Sequence, residues 1–277
     1  MSYATILHPT DFSLASEQAF VHALRMALAS KGQLDILHVD GPDEQPSPWE
    51  VYPQVRESLI RWSLLPPNAT REDVAGQLGV KVSKYRPRAA DRVKEIAKAA
   101  EELDADLIVL ASHCRGGFSR LVSKNVAEPL LREAKLPTLV LPHERPGFVA
   151  ERDGSAALQR ILLPVDEGAH GARALAAAEQ LVETLGVQSG AAEWLHVGRP
   201  GDLPKRPERL GEWSWDERAE EGDVVETILR RAREGQAALI VMATDGHDSV
   251  RDALFGSTAE QVLRQAPCAV LAVPTQR

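Results

Sequence analysis

The chain is built from two copies of one unit, and this limits its folds more than any other feature. ILHPTD at Ile6–Asp11 returns as ILLPVD at Ile161–Asp166, and LHV at Leu37–Val39 returns at Leu195–Val197. LIVLAS from Leu107 returns as LIVMAT from Leu239, and AEPLLREAKLPTLVLP from Ala127 returns as AEQVLRQAPCAVLAVP from Ala259. The blocks keep their order, so each copy is one supersecondary unit and the fold contains that unit twice. The first copy is the longer, and its extra residues fall in the variable stretch that begins near Asp40. A length of 277 residues suits two domains of ordinary size.

Each copy reads as strand, helix, strand, variable region, helix, strand, loop, helix, strand. Apolar residues at three-and-four spacing mark amphipathic helices: Phe20, Ala23, Leu24, Ala27 and Leu28; Val93, Ile96, Ala97, Ala100 and Leu103; Val225, Ile228, Leu229 and Ala232. LIVL and LIVM are apolar on consecutive residues, as in strands covered on both faces within a parallel sheet. The expected fold class is α/β, with two doubly wound, Rossmann-like parallel-sheet domains in tandem. The domains are expected at residues 1–143 and 159–277. The stretch from Pro142 to Arg160 is rich in charge, Gly and Pro and reads as an exposed linker centred on 144–158. The last strands, TLVLP and AVLAVP, are expected to pair with each other as an internal pseudo-dimer that covers two exposed edges. A homodimer of whole chains is left open.

Composition excludes several classes of function. Hydrophobic residues at 44% and charged residues at 26% describe a globular protein with a packed core. A net charge of -8 argues against a general grip on nucleic acid, which clustered Lys and Arg would provide. Two cysteines, Cys114 and Cys268, supply neither a disulfide framework nor a cysteine-rich zinc site. With no export signal and no long apolar run, the expected location is cytoplasmic and no membrane partner is expected.

In an open parallel sheet, ligands bind outside the carboxyl ends of the strands where strand order reverses. Asp11 and Asp166 lie at the end of strand one, Val39 and Val197 at the end of strand two, and a turn-rich loop follows strand four in each copy. These sets should converge. His8, His38, Asp11 and Cys114 include donor types of a transition-metal site, but a histidine near a strand end is more often hydrogen-bonded for structure. No metal ligand is assigned. The sequence contains no phosphate-transfer loop, zinc-protease helix or serine-hydrolase elbow. No catalytic residue is assigned, and an enzymatic role would be at most a slow ATPase. Trp49, Trp62, Trp213 and Trp215 lie in the variable regions, where packing against the sheet is the expected role.

The loop after strand four in the second copy carries Ala243, Gly246, then nine residues, then Gly256 and Ser257, and in this it resembles that of the universal stress protein family. Nucleotide-binding members carry G-x-x-G, nine residues, then G-[ST]. The matching residues are Ala243, Gly246, Gly256 and Ser257, three of which fit the pattern. Glycines there would let backbone N–H groups approach phosphate oxygens. The resemblance implies an adenine-nucleotide alpha-hydrolase-like fold in both copies and ATP or AMP in the second. It also implies a pocket of Pro164, Asp166, Val197, Met242 and Ala243, with Gly246, Gly256, Ser257 and Thr258 at the phosphates.

Two structural alternatives stay open. Ser257 with Glu260 also spells a helix capping box, and Asp166 could serve the N-terminus of the next helix. In the first copy the motif positions hold Ala111, Cys114, Lys124 and Asn125. This is a degraded phosphate cradle, although Asn125 and Glu128 retain a helix-start pattern. Arg115, Gly116, Gly117 and Lys124 form a basic loop there.

Overall fold

The computed structural model describes residues 2–112, 126–143, 145, 147–166, 170–244 and 258–275. The first half runs β1 (Thr5–Pro9), α1 (Leu14–Ser30), β2 (Gln33–Leu37), α2 (Val55–Arg61), α3 (Arg71–Leu78), β3 (Lys81–Tyr85), α4 (Arg92–Glu102), β4 (Leu107–Ser112), α5 (Ala127–Glu133) and β5 (Thr138–Pro142). The second half runs β6 (Arg160–Val165), α6 (His170–Leu185), β7 (Ala191–Val197), β8 (Ser214–Glu220), α7 (Val224–Glu234), β9 (Leu239–Thr244), α8 (Thr258–Gln265) and β10 (Ala269–Pro274). The strands form one ten-stranded sheet in the order β3-β2-β1-β4-β5-β10-β9-β6-β7-β8. Strands are parallel within each half, and β5 meets β10 antiparallel with Val140 opposite Val270 and Leu139 opposite Leu271. The doubly wound fold and the pairing of the two last strands are as the repeat predicts.

Alternating side chains of the apolar strands separate the core into layers. Ile6, Val109, Leu139, Ile161, Leu163, Val241 and Leu271 face one side, where α1 and α6 pack side by side in a cluster that spans both halves. Leu7, Ile108, Leu110 and Val140 face the other side toward α4 and α5, while Leu162, Ile240, Met242 and Val270 face α7 and α8. Both faces of the sheet are therefore covered, which explains the unbroken apolar runs. Among the described residues no helix is long and apolar enough to cross a membrane.

Local signals explain the element ends. Ser13 caps α1 by accepting the Ser16 N–H at 3.1 Å. Asp91 and Asp223 do the same for α4 and α7. Gly32 and Gly190 occupy matching places before the second strand of each copy. A Cβ there would lie 2.0 Å from the Ala4 carbonyl oxygen or 2.7 Å from that of Gln159, so the strands can draw together only at glycine.

The variable regions contain further regular elements. Each holds an edge strand, β3 as KVSKY and β8 as SWDERAE, whose polar, partly exposed side chains dilute the apolar signal. The extra length of the first copy forms α2 and α3. Trp62 and Trp213 are buried, while Trp49 and Trp215 hold the guanidinium groups of Arg86 and Arg206 against their rings.

The connection between the copies is exposed over residues 150–153, but a few of its side chains also fasten it to the fold. Phe148, Val149 and Leu158 are buried, and the Trp62 indole N–H donates to the Glu151 carbonyl at 2.9 Å. His22 on α1 secures it further. Its Nδ1–H donates to the Gln18 carbonyl at 2.8 Å, and its Nε2 accepts the Val149 N–H at 3.0 Å. A few apolar side chains among many polar ones suffice to fasten the segment.

Across the seam the helices exchange matching ion pairs. Arg132 of α5 grips the Glu260 carboxylate of α8, with one contact at 2.7 Å, and Arg264 of α8 meets Glu128 of α5. These residues hold corresponding places in AEPLLREA and AEQVLRQA, so the interface is self-complementary within one chain. A double-mutant cycle on Arg132→Ala and Glu260→Ala is expected to show coupling of about 1–2 kcal/mol in urea unfolding, because the carboxylate is buried. Coupling near zero would show that solvent screens the pair.

His8 and His22 are fully buried, and burial pushes both imidazoles down to about 4. Only neutral His22 has the Nε2 lone pair that accepts from Val149. The unfolded chain therefore takes up protons first, and stability falls as pH drops from 6.5 toward 4. Each histidine should cost on the order of 3 kcal/mol across that window. Urea midpoints from pH 7 to pH 4.5 should show the slope, and His22→Leu should flatten it.

Candidate functional site

Strand order reverses between β6 and β9, because α6 leads to one neighbour of β6 and α7 leads to the other. Their carboxyl ends, with that of β7, form the crevice of the second half. Pro164 is half-buried near the end of β6, opposite Leu195. Asp166 is the next residue after the strand and is exposed, and the His170 Nδ1 at the first residue of α6 lies 3.2 Å from its carboxylate. The side chain of Asp166 is accessible at the end of the strand.

Val197 ends β7 and is half-buried. Met242 is buried, while Ala243 and Thr244 at the end of β9 are half-buried and paired with Val273 and Pro274. Thr258 is exposed at the start of α8. The fold therefore brings Pro164, Asp166, Val197, Ala243 and Thr258 to strand ends or helix starts around the switch point. Gly246, Gly256 and Ser257 lie outside the described residues, as do Cys114, Arg115, Gly116, Gly117, Lys124 and Asn125.

A histidine in each half ties the first two strands together just beneath the crevice. His196 Nδ1 faces the Val165 carbonyl at 3.1 Å, and His38 Nδ1 faces the Thr10 carbonyl at 2.7 Å. A ring nitrogen facing a carbonyl carries the proton, so these contacts set the tautomer. His8 likewise spends Nδ1 on the Val109 carbonyl at 2.8 Å. Among the described residues, no group of three or more His, Cys, Asp or Glu could hold a metal ion. Cys268 is buried, and burial pushes its thiol up to about 12, away from a reactive thiolate.

The two crevices differ in their contents. Phe12 in the first half follows Asp11, and its ring stacks on His38 with centroids 4.2 Å apart and planes 28° apart. Residues 41–54 of the first copy's longer variable region form a strap, from which Tyr52 meets Phe12 edge-on at 5.0 Å. Asp11 accepts the Ser13 N–H at 3.1 Å, immediately before the α1 cap. Sequence reasoning missed this stack. Its signal was the position of Phe12 directly after the strand-end acid, in a turn where small or polar residues are usual.

The Universal stress protein family model matches residues 2–142 and 188–274, which together cover most of the chain. The chain belongs to the universal stress protein family. A search of curated proteins finds no match. Among solved structures, a universal stress protein from Archaeoglobus fulgidus is similar at 24% identity and a TM-score of 0.64, with 97% of each chain covered. A putative universal stress protein from Pseudomonas aeruginosa is similar at 19% identity and a TM-score of 0.63, covering 98% of this chain and 93% of its own. A functionally unknown protein from the same species is similar at 17% identity and a TM-score of 0.65, with 98% and 92% covered. These likenesses extend the shared fold over both halves of this universal stress protein.

A Cβ on Gly198 would lie 2.4 Å from His196 Nε2. Gly198→Ala should displace the imidazole from the Val165 carbonyl and lower stability by about 1–2 kcal/mol. Urea unfolding checks the cost, and an unmoved His196 ring signal in NMR would contradict the displacement.

Proposed function

We propose that this universal stress protein is a stress-associated sensor of adenine nucleotide, ATP or AMP, with its ligand in the second half. The observation that carries the reading is the contrast between the crevices. The second is bordered by an accessible Asp166, whereas Phe12 stacks at the strand ends of the first. Pro164, Val197 and Met242 would line the base, with Asp166 on the adenosine side. Gly246, Gly256, Ser257 and Thr258 would hold phosphate through backbone N–H and hydroxyl groups at the start of α8. The functional division runs 1–143, a connection at 144–158, and 159–277, with the first unit structural or regulatory. A cytoplasmic location belongs to the same reading.

A second reading, an interaction protein without ligand, draws on the filled first crevice, because that reading expects side chains in such places. Calorimetry with ATP and with AMP separates the two. Wild type should bind, while Gly246→Arg and Gly256→Arg, folded by circular dichroism, should lose binding. Asp166→Asn should weaken it by about tenfold, the loss of one good hydrogen bond. Absence of binding by wild type, with no nucleotide retained through purification, would favour the interaction protein. Turnover of bound ATP in the same samples would reveal a slow ATPase.

A further inference from the structure

The aromatic stack in the first half occupies a defined place in the fold. His38 and His196 make the same contact in the two copies, to the carbonyls of Thr10 and Val165, so the crevices share a frame. In that frame, the ring of Phe12 lies beside the strand ends that correspond to Pro164, Asp166 and Val197. It is stacked face-on against an imidazole and closed edge-on by Tyr52, as a bound heteroaromatic ring would be.

Its backbone does not adopt this position by local preference. Phe12 has φ 63°, a left-handed conformation unfavourable for a bulky L-residue by roughly 1–2 kcal/mol. The Thr10 hydroxyl holds the turn by accepting the Phe12 N–H at 3.1 Å, and Ser16 holds that hydroxyl at 2.8 Å. The second copy carries Val165 and Glu167 at the corresponding places and has no inserted strap, so it has neither the hydroxyl nor the ring. The strap itself is fastened by Arg92, which holds the Glu44 carboxylate at 2.8 Å, and by Tyr52, whose hydroxyl donates to the Tyr85 carbonyl at 3.1 Å.

We propose that the first half contains a plugged slot for a planar heteroaromatic nucleoside, in which Phe12 serves as a built-in ligand and the strap through Tyr52 as its cover. The slot is of nucleoside rather than nucleotide type, because the phosphate glycines are absent from this copy. The inference rests on the reading of the second crevice for the kind of ligand, but its evidence is the stack itself. One consequence is that each chain binds at most one nucleotide.

The test uses the full chain, adenosine as probe and imidazole NMR as readout, with the His38 signal assigned by His38→Asn. Phe12→Gly is compatible with the left-handed backbone, and Phe12→Asn provides a second variant that tolerates it. Removing the ring should shift the His38 signals downfield by loss of ring current. It should then let adenosine perturb them with an affinity at least about tenfold above wild type. Failure of both folded variants to respond would overturn the proposal, as would a wild-type His38 that already responds equally. His196 reports separately. If ATP leaves it unmoved while the Phe12 variants gain a His38 response, the plugged slot stands and the nucleotide reading of the second half falls.

Discussion

The antiparallel pairing of β5 with β10 is the interaction on which the rest of the architecture depends. Each strand is apolar along its length and would otherwise present an open row of backbone donors and acceptors, a ready template for another chain. Pairing them within one polypeptide satisfies both edges and makes two five-stranded units one sheet. It also sets the positions of α1 beside α6 and of α5 beside α8. Only then can one apolar cluster extend across both halves and the Arg132–Glu260 and Arg264–Glu128 pairs form. The outer edges, β3 and β8, are rich in charged and polar side chains, which suits strands that remain unpaired on one side.

The same pseudo-symmetry that stabilises the seam leaves two equivalent crevices free to diverge. The strands beneath them are held alike by His38 and His196, so the difference lies in the residues above those strand ends. An inserted strap and a phenylalanine in a strained turn fill one, while an accessible carboxylate borders the other. Duplication of this kind leaves each crevice free to change without loss of the fold, since the core requires only that the apolar pattern survive. The connection between the units adds to this rigidity: His22, Trp62 and buried Phe148 hold it against the first half.

Much of this was legible in the residues. The duplicated blocks, the continuous apolar strands and the three-and-four spacing of α1, α4 and α7 determined two doubly wound α/β units and the candidate switch-point positions Asp166 and Val197, because these follow from periodicity and chain order alone, whereas Ala243 was named by the family resemblance. The spacing of Gly246, Gly256 and Ser257 was likewise a property of the chain. Tertiary structure decided the anchoring of the connection, since Phe148, Val149 and Leu158 are too few to mark a core segment until the fold supplies their partner surface. It also decided the partners of Arg132 and Arg264, which lie far away in sequence. Finally, it decided that Phe12 enters its own crevice: a left-handed turn, a histidine on β2's end and a tyrosine from the insertion must meet in space, and no local pattern encodes a contact among residues 12, 38 and 52.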